Sequence, residues 1–325
     1  MKRLFKKHIR IWLALIALVF AVAGCGGSGE DEGEHVDFSD PLSGESIATA
    51  ADLLAFIQSG HSGEATLAAS IDIGDDFLDI TAKRGAIAIH GNGNTISGNG
   101  DCVIRLEDGC ELTLNDVTLL GGAGAIGCLG QASVSGNADI SAVSHAIDCK
   151  DGLSIGAESR LSVKSNMGSA IRANRLTLGA GARVLTNGGV SAVDILMDDI
   201  LLEEGAVLDA ATQTHYNALK CAGTLSMKEG SRLIVTNAGD YHGAEVGGLA
   251  IDGMVTVEAT GGSKGVGVFL FDLEETYYLF GFCAPEARHE VGDGSLIFID
   301  DLSEIPTPEP DAPQEDEPDA SPDSP

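Results

Sequence analysis

Two apolar ladders run in phase through the middle of this chain and leave few folds open to it. The first is Ile104, Ile126, Ile147, Ile171, Val193, Leu219 and Ile251; the second is Leu114, Val134, Ile155, Leu178, Leu202, Met227 and Val257. The units HAIDCKDGLSIGAESRLSVKSN (145–166), SAIRANRLTLGAGARVLTN (169–187), SAVDILMDDILLEEGAVLDAAT (191–212) and NALKCAGTLSMKEGSRLIVTN (217–237) each hold three short apolar alternations separated by Gly, Asp or Asn turns. Helical repeats would need apolar residues three and four apart, and that pattern is absent. Three short strands per repeat predict an all-β chain: a single-stranded right-handed parallel β-helix, or solenoid, of about 8–10 coils stacked at about 4.8 Å. Asn166, Asn187 and Asn237, with Thr212 between, are expected to stack at one turn and satisfy its backbone.

A solenoid needs its two open ends covered. Residues 46–58, SIATAADLLAFIQ, predict an amphipathic helix over the first coil. Phe269, Phe271, Tyr277, Tyr278, Phe280, Phe282 and Phe298 predict an aromatic-rich C-terminal cap with the rings packed inside it. Outside these limits the composition changes. Residues 26–40 are small and acidic, and residues 303–325 hold seven of the nine prolines among many acids. Neither segment can bury a core, so both are expected to be disordered.

The N-terminus reads as an address. Lys2, Arg3, Lys6, Lys7 and Arg10 precede an uncharged run, Ile11 to Gly24, too short to span a bilayer comfortably. It ends Val22-Ala23-Gly24-Cys25, which resembles a bacterial lipoprotein lipobox. The resemblance implies cleavage before Cys25, lipidation of that thiol and an extracytoplasmic, membrane-anchored protein at the cell surface. Losing those five cations takes the formal charge from −30 to −35. Such a balance argues against nucleic acid as a partner, because phosphate binding needs clustered cations. The expected organisation is therefore signal peptide 1–24, lipidated Cys and acidic tether 25–45, β-helix with caps 46–302, and tail 303–325.

TLAASIDI followed by AIAIHGNGNTISGNG, after a short helix, resembles the opening coils of pectate-lyase-like β-helix proteins. That superfamily holds lyases, hydrolases, adhesins and inert scaffolds, so the resemblance implies fold more than activity. Its enzymes place acids and cations on one sheet. Its polygalacturonase-like hydrolases carry Gly-His-Gly and Arg-Ile-Lys; the nearest matches here, Tyr241-His242-Gly243 and Arg232-Leu233-Ile234, are incomplete.

The residue after each first-ladder position should face solvent. From Asp148 these read Asp148, Arg172, Asp194, Lys220 and Asp252, alternating in sign. As structure, they are a ladder of ion pairs between coils, each worth about 0–1 kcal/mol. As chemistry, Asp148 and Asp194 are a carboxylate pair about 10 Å apart for a glycoside hydrolase. Arg172 or Lys220 would stabilise the enolate of a lyase. Asp72, Asp75, Asp76 and Asp79 form a candidate Ca2+ cluster, and no other cofactor is implied. Cys128, Cys149 and Cys221 sit two residues after ladder positions and should point inward. Cys128 with Cys149 on the adjacent coil, and Cys102 with Cys110 locally, are candidate disulfides.

The incomplete motifs weigh against catalysis, and the coils offer few aromatic rings for sugar stacking. The leading reading is a lipid-anchored surface β-helix with a non-catalytic adhesive or glycan-binding role, its partners the membrane and a polysaccharide or envelope protein. A polysaccharide lyase or glycoside hydrolase comes second, and an inert scaffold third.

Overall fold

The structure, a computed structural model, describes residues 42–59, 62–81 and 86–305. The chain divides into two units, 1–40 and 41–325, and every described residue belongs to the second. Residues 1–41, with the expected signal peptide and Cys25, and 306–325 of the expected tail lie outside the described residues.

The described residues form an all-β parallel solenoid of about ten turns with one short α-helix. Three faces repeat. Face A stacks Leu78–Ile80, Ile104–Leu106, Gly124–Cys128, His145–Cys149, Ile171–Ala173 and Val193–Ile195 in parallel, then continues into Leu219–Met227, Ala244–Ile251 and Val268–Asp272. Face B (Gly152–Ile155, Arg175–Leu178 and Ile200–Leu202 in the central coils) and then face C (Arg160–Ser165, Arg183–Gly188, Val207–Thr212 and Arg232–Asn237) follow, and a corner returns the chain to face A. The face A strands are short because two inward residues around one outward residue complete each pass, as in Ile104–Leu106, Ile171–Ala173 and Val193–Ile195. Ile104, Ile147, Ile171, Val193 and Leu219 are all fully buried, each touching its counterparts in the coils on either side. Burying such a side chain stabilises by about 1.5–3 kcal/mol.

The ladders need correction at their ends. Leu219 pairs with Ala244, and Ala244 with Val268, so Ile251 is not on the first ladder. Ala250-Ile251-Asp252 repeats the letters of Ala146-Ile147-Asp148, yet it forms the face B half of a strand whose face A half is Ala244–Val246. Ile251 instead continues the second ladder after Met227. Leu112, not Leu114, pairs with Val134, and Val257 lies on face C against Leu233.

The asparagine stack does not form. Asn187 aligns with Lys164 and Ala211, whereas Asn237 aligns with Thr212, and Thr212 with Gly188. The face C–face A corner carries a mixed polar column instead. Thr212 Oγ1 donates to the carbonyls of Gly188 or Val190, each at 3.0 Å. Asn237 Nδ2 donates to Tyr216 O at 2.7 Å and His242 O at 3.0 Å. The corner is tight enough to demand glycine: a Cβ on Gly188 would lie 1.8 Å from Ser191 O. The face B–face C corner holds a left-handed residue in four consecutive coils, Glu158, Gly181, Gly205 and Gly230, at φ of 55°, 67°, 66° and 69°.

The N-terminal helix α1 spans Ala50–Gln58, shorter than expected, because Ser46 and Ile47 finish a strand, Leu42–Ile47, paired with Gly63–Leu67. Thr49 caps it, accepting from Asp52 N at 3.2 Å, and Leu53, Phe56 and Ile57 join the core. At the other end the rings divide: Tyr277 and Phe298 pack against the core, and others face outward. Leu270, Leu273, Leu279 and Ile299 are the buried residues there, while Phe271 and Phe282 are 42% and 51% exposed. Phe269 follows Glu245 on the outside of face A, and Phe280 and Phe282 follow Thr256 and Glu258 on the outside of face C.

A disulfide joins Cys128 and Cys149 across adjacent coils, their Cα atoms 4.2 Å apart. Cys102 and Cys110 are not bonded to each other; Cys110 Sγ points inward and donates to Ile80 O at 3.2 Å. Cys221 is buried and free.

Two substitutions test the inward and corner assignments. Ile171→Asp would strand a charge between coils and should lower unfolding stability by more than about 4 kcal/mol in chemical denaturation. Gly205→Ala meets no atom closer than 4.0 Å, so its cost should be the left-handed backbone alone, about 1 kcal/mol.

Candidate functional site

Face A carries the residues the sequence singles out. Asp148, Arg172, Asp194 and Lys220 occupy consecutive outward positions in register, so the structure brings all four together. The fifth member is Glu245, opposite Lys220. Asp252 sits at a corner elsewhere, where its carboxylate accepts from Lys228 Nζ at 2.9 Å. The column extends upward through Gly127 to Arg105 and Asp79.

Contacts along the column are uneven. Arg105 donates to both oxygens of Asp79, at 3.0 and 2.6 Å, and its guanidinium lies 4.0 Å from the Phe77 ring centroid. Arg172 Nε reaches only to 4.0 Å from Asp148 Oδ1. Among the described residues, no cation makes an ion pair with Asp194. Burial pushes the Asp194 carboxyl above its ordinary range, opposed by Lys220, Arg172 and His145. Arg172 stands between Asp148 and Asp194, two coil steps or about 10 Å apart, which is just beyond the spacing of inverting carboxylates. His145 Nδ1 accepts from Ser169 N at 3.1 Å, which leaves the proton of the neutral ring on Nε2. Gly127, lacking a side chain, opens a depression of about 330 Å3 between Arg105, His145, Asp148 and Lys150.

The other sequence candidates disperse. Asp79 belongs to Arg105, and Asp72 Oδ1 accepts from Gly74 N at 3.0 Å. Among the described residues, no group of three or more His, Cys, Asp or Glu side chains is placed to hold a metal ion, so Asp72, Asp75, Asp76 and Asp79 do not form the expected Ca2+ cluster. His242 is a structural residue: its ring stacks on Phe269 with centroids 4.8 Å apart, and Nδ1 accepts from Val266 N at 3.0 Å. Burial lowers its pKa. Asp240 accepts from Ser263, Lys264 and His215, bonds led by Ser263 that hold its carboxyl down at about 2.

Face C holds a site that the sequence reading missed. One outward column runs Asn137, Arg160, Arg183, Val207 and Arg232, and its neighbour runs Thr118, Asp139, Ser162, Leu185, Asp209, Ile234 and Glu258. Across the five successive coils from Thr118 to Asp209 these columns border a groove of about 410 Å3, with Asp116 towards one end and Asp209 at the other. Its coils span about 19 Å along the axis at the usual strand spacing. Leu185 lies on the floor, 51% exposed. Burial raises the Asp209 carboxyl, with Arg232 opposing and Glu258 adding to the shift. Arg105, Arg172, Arg175 and Arg232 each have a carboxylate partner. Arg160 and Arg183, side by side in register, have none among the described residues. The signal was available: SR and AR open the third alternation of two consecutive units.

No family model matches this chain, and no curated protein matches it. Among solved structures, one described as "L. reuters 100-23 SRRP" is 13% identical, with a TM-score of 0.41, covering 80% of this chain and 96% of that one.

Asp194 gives a pH test. Its folded pKa lies above the unfolded value, so the folded state holds its proton longer and stability is lost as pH rises from about 3.8 through the raised value. Asp194→Asn should therefore melt no lower than the parent at pH 7, and its advantage should disappear near pH 3.5. A variant that melted lower at pH 7 would show that Asp194 stabilises the ladder as an ion.

Proposed function

We propose that this chain is a lipid-anchored, cell-surface β-solenoid that binds glycan without cleaving it. The face C groove carries the reading: a concave strip crossing several coils, lined by hydroxyl, carboxylate and guanidinium groups around one exposed aliphatic side chain. Polysaccharides present repeated hydroxyls and an apolar ring face, and such a strip matches both. The lipobox-like end, Val22 to Cys25, supports the anchoring, and the pectate-lyase-like resemblance of the opening coils fits a carbohydrate partner. An envelope protein is the competing partner.

One observation favours the enzymatic reading. Asp194, desolvated beside Lys220 and Arg172, holds its proton to higher pH than an ordinary carboxyl, as a general acid must. It lacks a nearby second carboxylate on its own side of Arg172.

Affinity electrophoresis of the protein through gels containing neutral or acidic polysaccharides, with and without Ca2+, separates these readings. Retardation without clearing of the glycan is the expected result. Clearing would make it an enzyme, and Asp194→Asn would then abolish clearing. Unchanged mobility in every gel would leave a scaffold or a protein partner. Cys25→Ser should move the protein from the membrane fraction to the soluble fraction and remove fatty-acid labelling.

A further inference from the structure

Resting on the glycan-binding reading, we infer that the face C groove selects an acidic polysaccharide and that Arg160 and Arg183 together seat its oxyanion, a carboxylate or a sulfate. Two arginines on adjacent coils repel each other, and like charges directly opposite in a sheet are destabilising. Both lack a carboxylate partner among the described residues, although the chain has 49 acidic and 19 basic residues. Every register position needed for a partner exists. Asp139 precedes Ser162 and Asp209 follows Leu185 in the neighbouring column, yet neither makes an ion pair with Arg160 or Arg183. The guanidinium pair is thus left open to a ligand, with donors in the fork geometry that suits planar or tetrahedral oxyanions.

The flanks explain why the ligand is a sugar chain rather than a bare anion. Asp116, Asp139 and Asp209 can accept from sugar hydroxyls, Thr118 and Ser162 can donate or accept, and Leu185 offers a flat apolar contact between the charged ends. Along the axis the order is two acids (Asp116, Asp139), two cations (Arg160, Arg183) and one acid (Asp209). This order places an anionic sugar at the centre and hydroxyl-rich sugars on each side. The overall negative charge of the chain does not prevent this, since exposed charges are screened beyond about 8 Å at physiological ionic strength.

The test is equilibrium binding of the full chain to three probes at physiological ionic strength: oligoalginate, a dextran sulfate fragment, and neutral dextran of similar length. The parent should prefer one or both acidic probes, and the preferred arm identifies carboxylate or sulfate. Arg160→Gln with Arg183→Gln should weaken that binding about ten-fold or more, because hydrogen bonds to charged groups are lost. Arg160→Lys with Arg183→Lys should fall between, keeping charge without the fork. Arg175→Gln with Asp198→Asn, an exposed ion pair that does not line the groove, should bind as the parent does. Melting curves of all variants should superimpose on the parent apart from small shifts, since these side chains are outside the core. If the parent binds acidic glycan and the Gln pair binds equally well, the groove assignment is wrong while glycan binding stands. If neutral dextran binds as well as the acidic probes, the anion selectivity is wrong. If none of the probes binds, and the electrophoresis with other polysaccharides is also negative, glycan binding itself fails.

Discussion

Everything in this protein depends on parallel stacking in register. An inward residue is shielded by its counterparts one coil before and one coil after it, and by the other two faces of its own coil. Ile147 on Ile171 on Val193 is one such column. The backbone hydrogen bonds that fix this register also fix which outward side chains become neighbours. The ion pairs of face A, the groove of face C and the disulfide between Cys128 and Cys149 are all consequences of one alignment rather than separate designs. A slip of one residue would turn every inward column to solvent.

The central coils were legible because their inward residues are large and their units close in length. Ile104 to Leu219 on face A and Val134 to Met227 on face B read correctly from spacing alone. Errors arose where the physics leaves the letters ambiguous. Ala244 is too small to mark a core position, and Ala250-Ile251-Asp252 imitates a face A strand. Leu112 and Leu114 both point inward, so only pairing chooses between them. Hydrophobicity places all seven C-terminal rings in the interior, but alternation around Leu270 and Leu279 turns Phe269, Phe271, Phe280 and Phe282 outward and leaves only Tyr277 and Phe298 against the core. Of the candidate site, the face A column was visible as a charge pattern following the first ladder. Arg160 and Arg183 were equally periodic. Their meaning lies in the missing partner, and partners are decided by rotamers and distances that periodicity does not contain.

The two charged strips use the same residue types in different ways. On face A opposite signs alternate coil by coil, and Arg105 on Asp79 is fully engaged. On face C two cations are adjacent and unshared. Alternating charges on neighbouring coils attract one another even where, as at Asp194, no ion pair closes; a doubled charge needs something from outside. This contrast, more than the number of charged residues, separates a strip that sets register from one that can recognise a ligand.

The corner between face C and face A varies in length along the solenoid. It is residues 99–103 and 122–123 in early coils, 213–218 further on, 261–267 near the end and 285–287 in the last coil. These residues lie outside the stacked strands, and lengthening a loop costs only about 0.6 kcal/mol per doubling. The fold therefore tolerates extra exposed residues at this margin, although Asn217, Ala218 and Val266 within it are buried. Tyr216 and Tyr241, both more than half exposed on successive corners, show what that freedom permits. The rigid faces and the variable rim evolve under separate rules, so a descendant of this chain could change what it touches at the rim while keeping the coil count, the core and the groove it inherited.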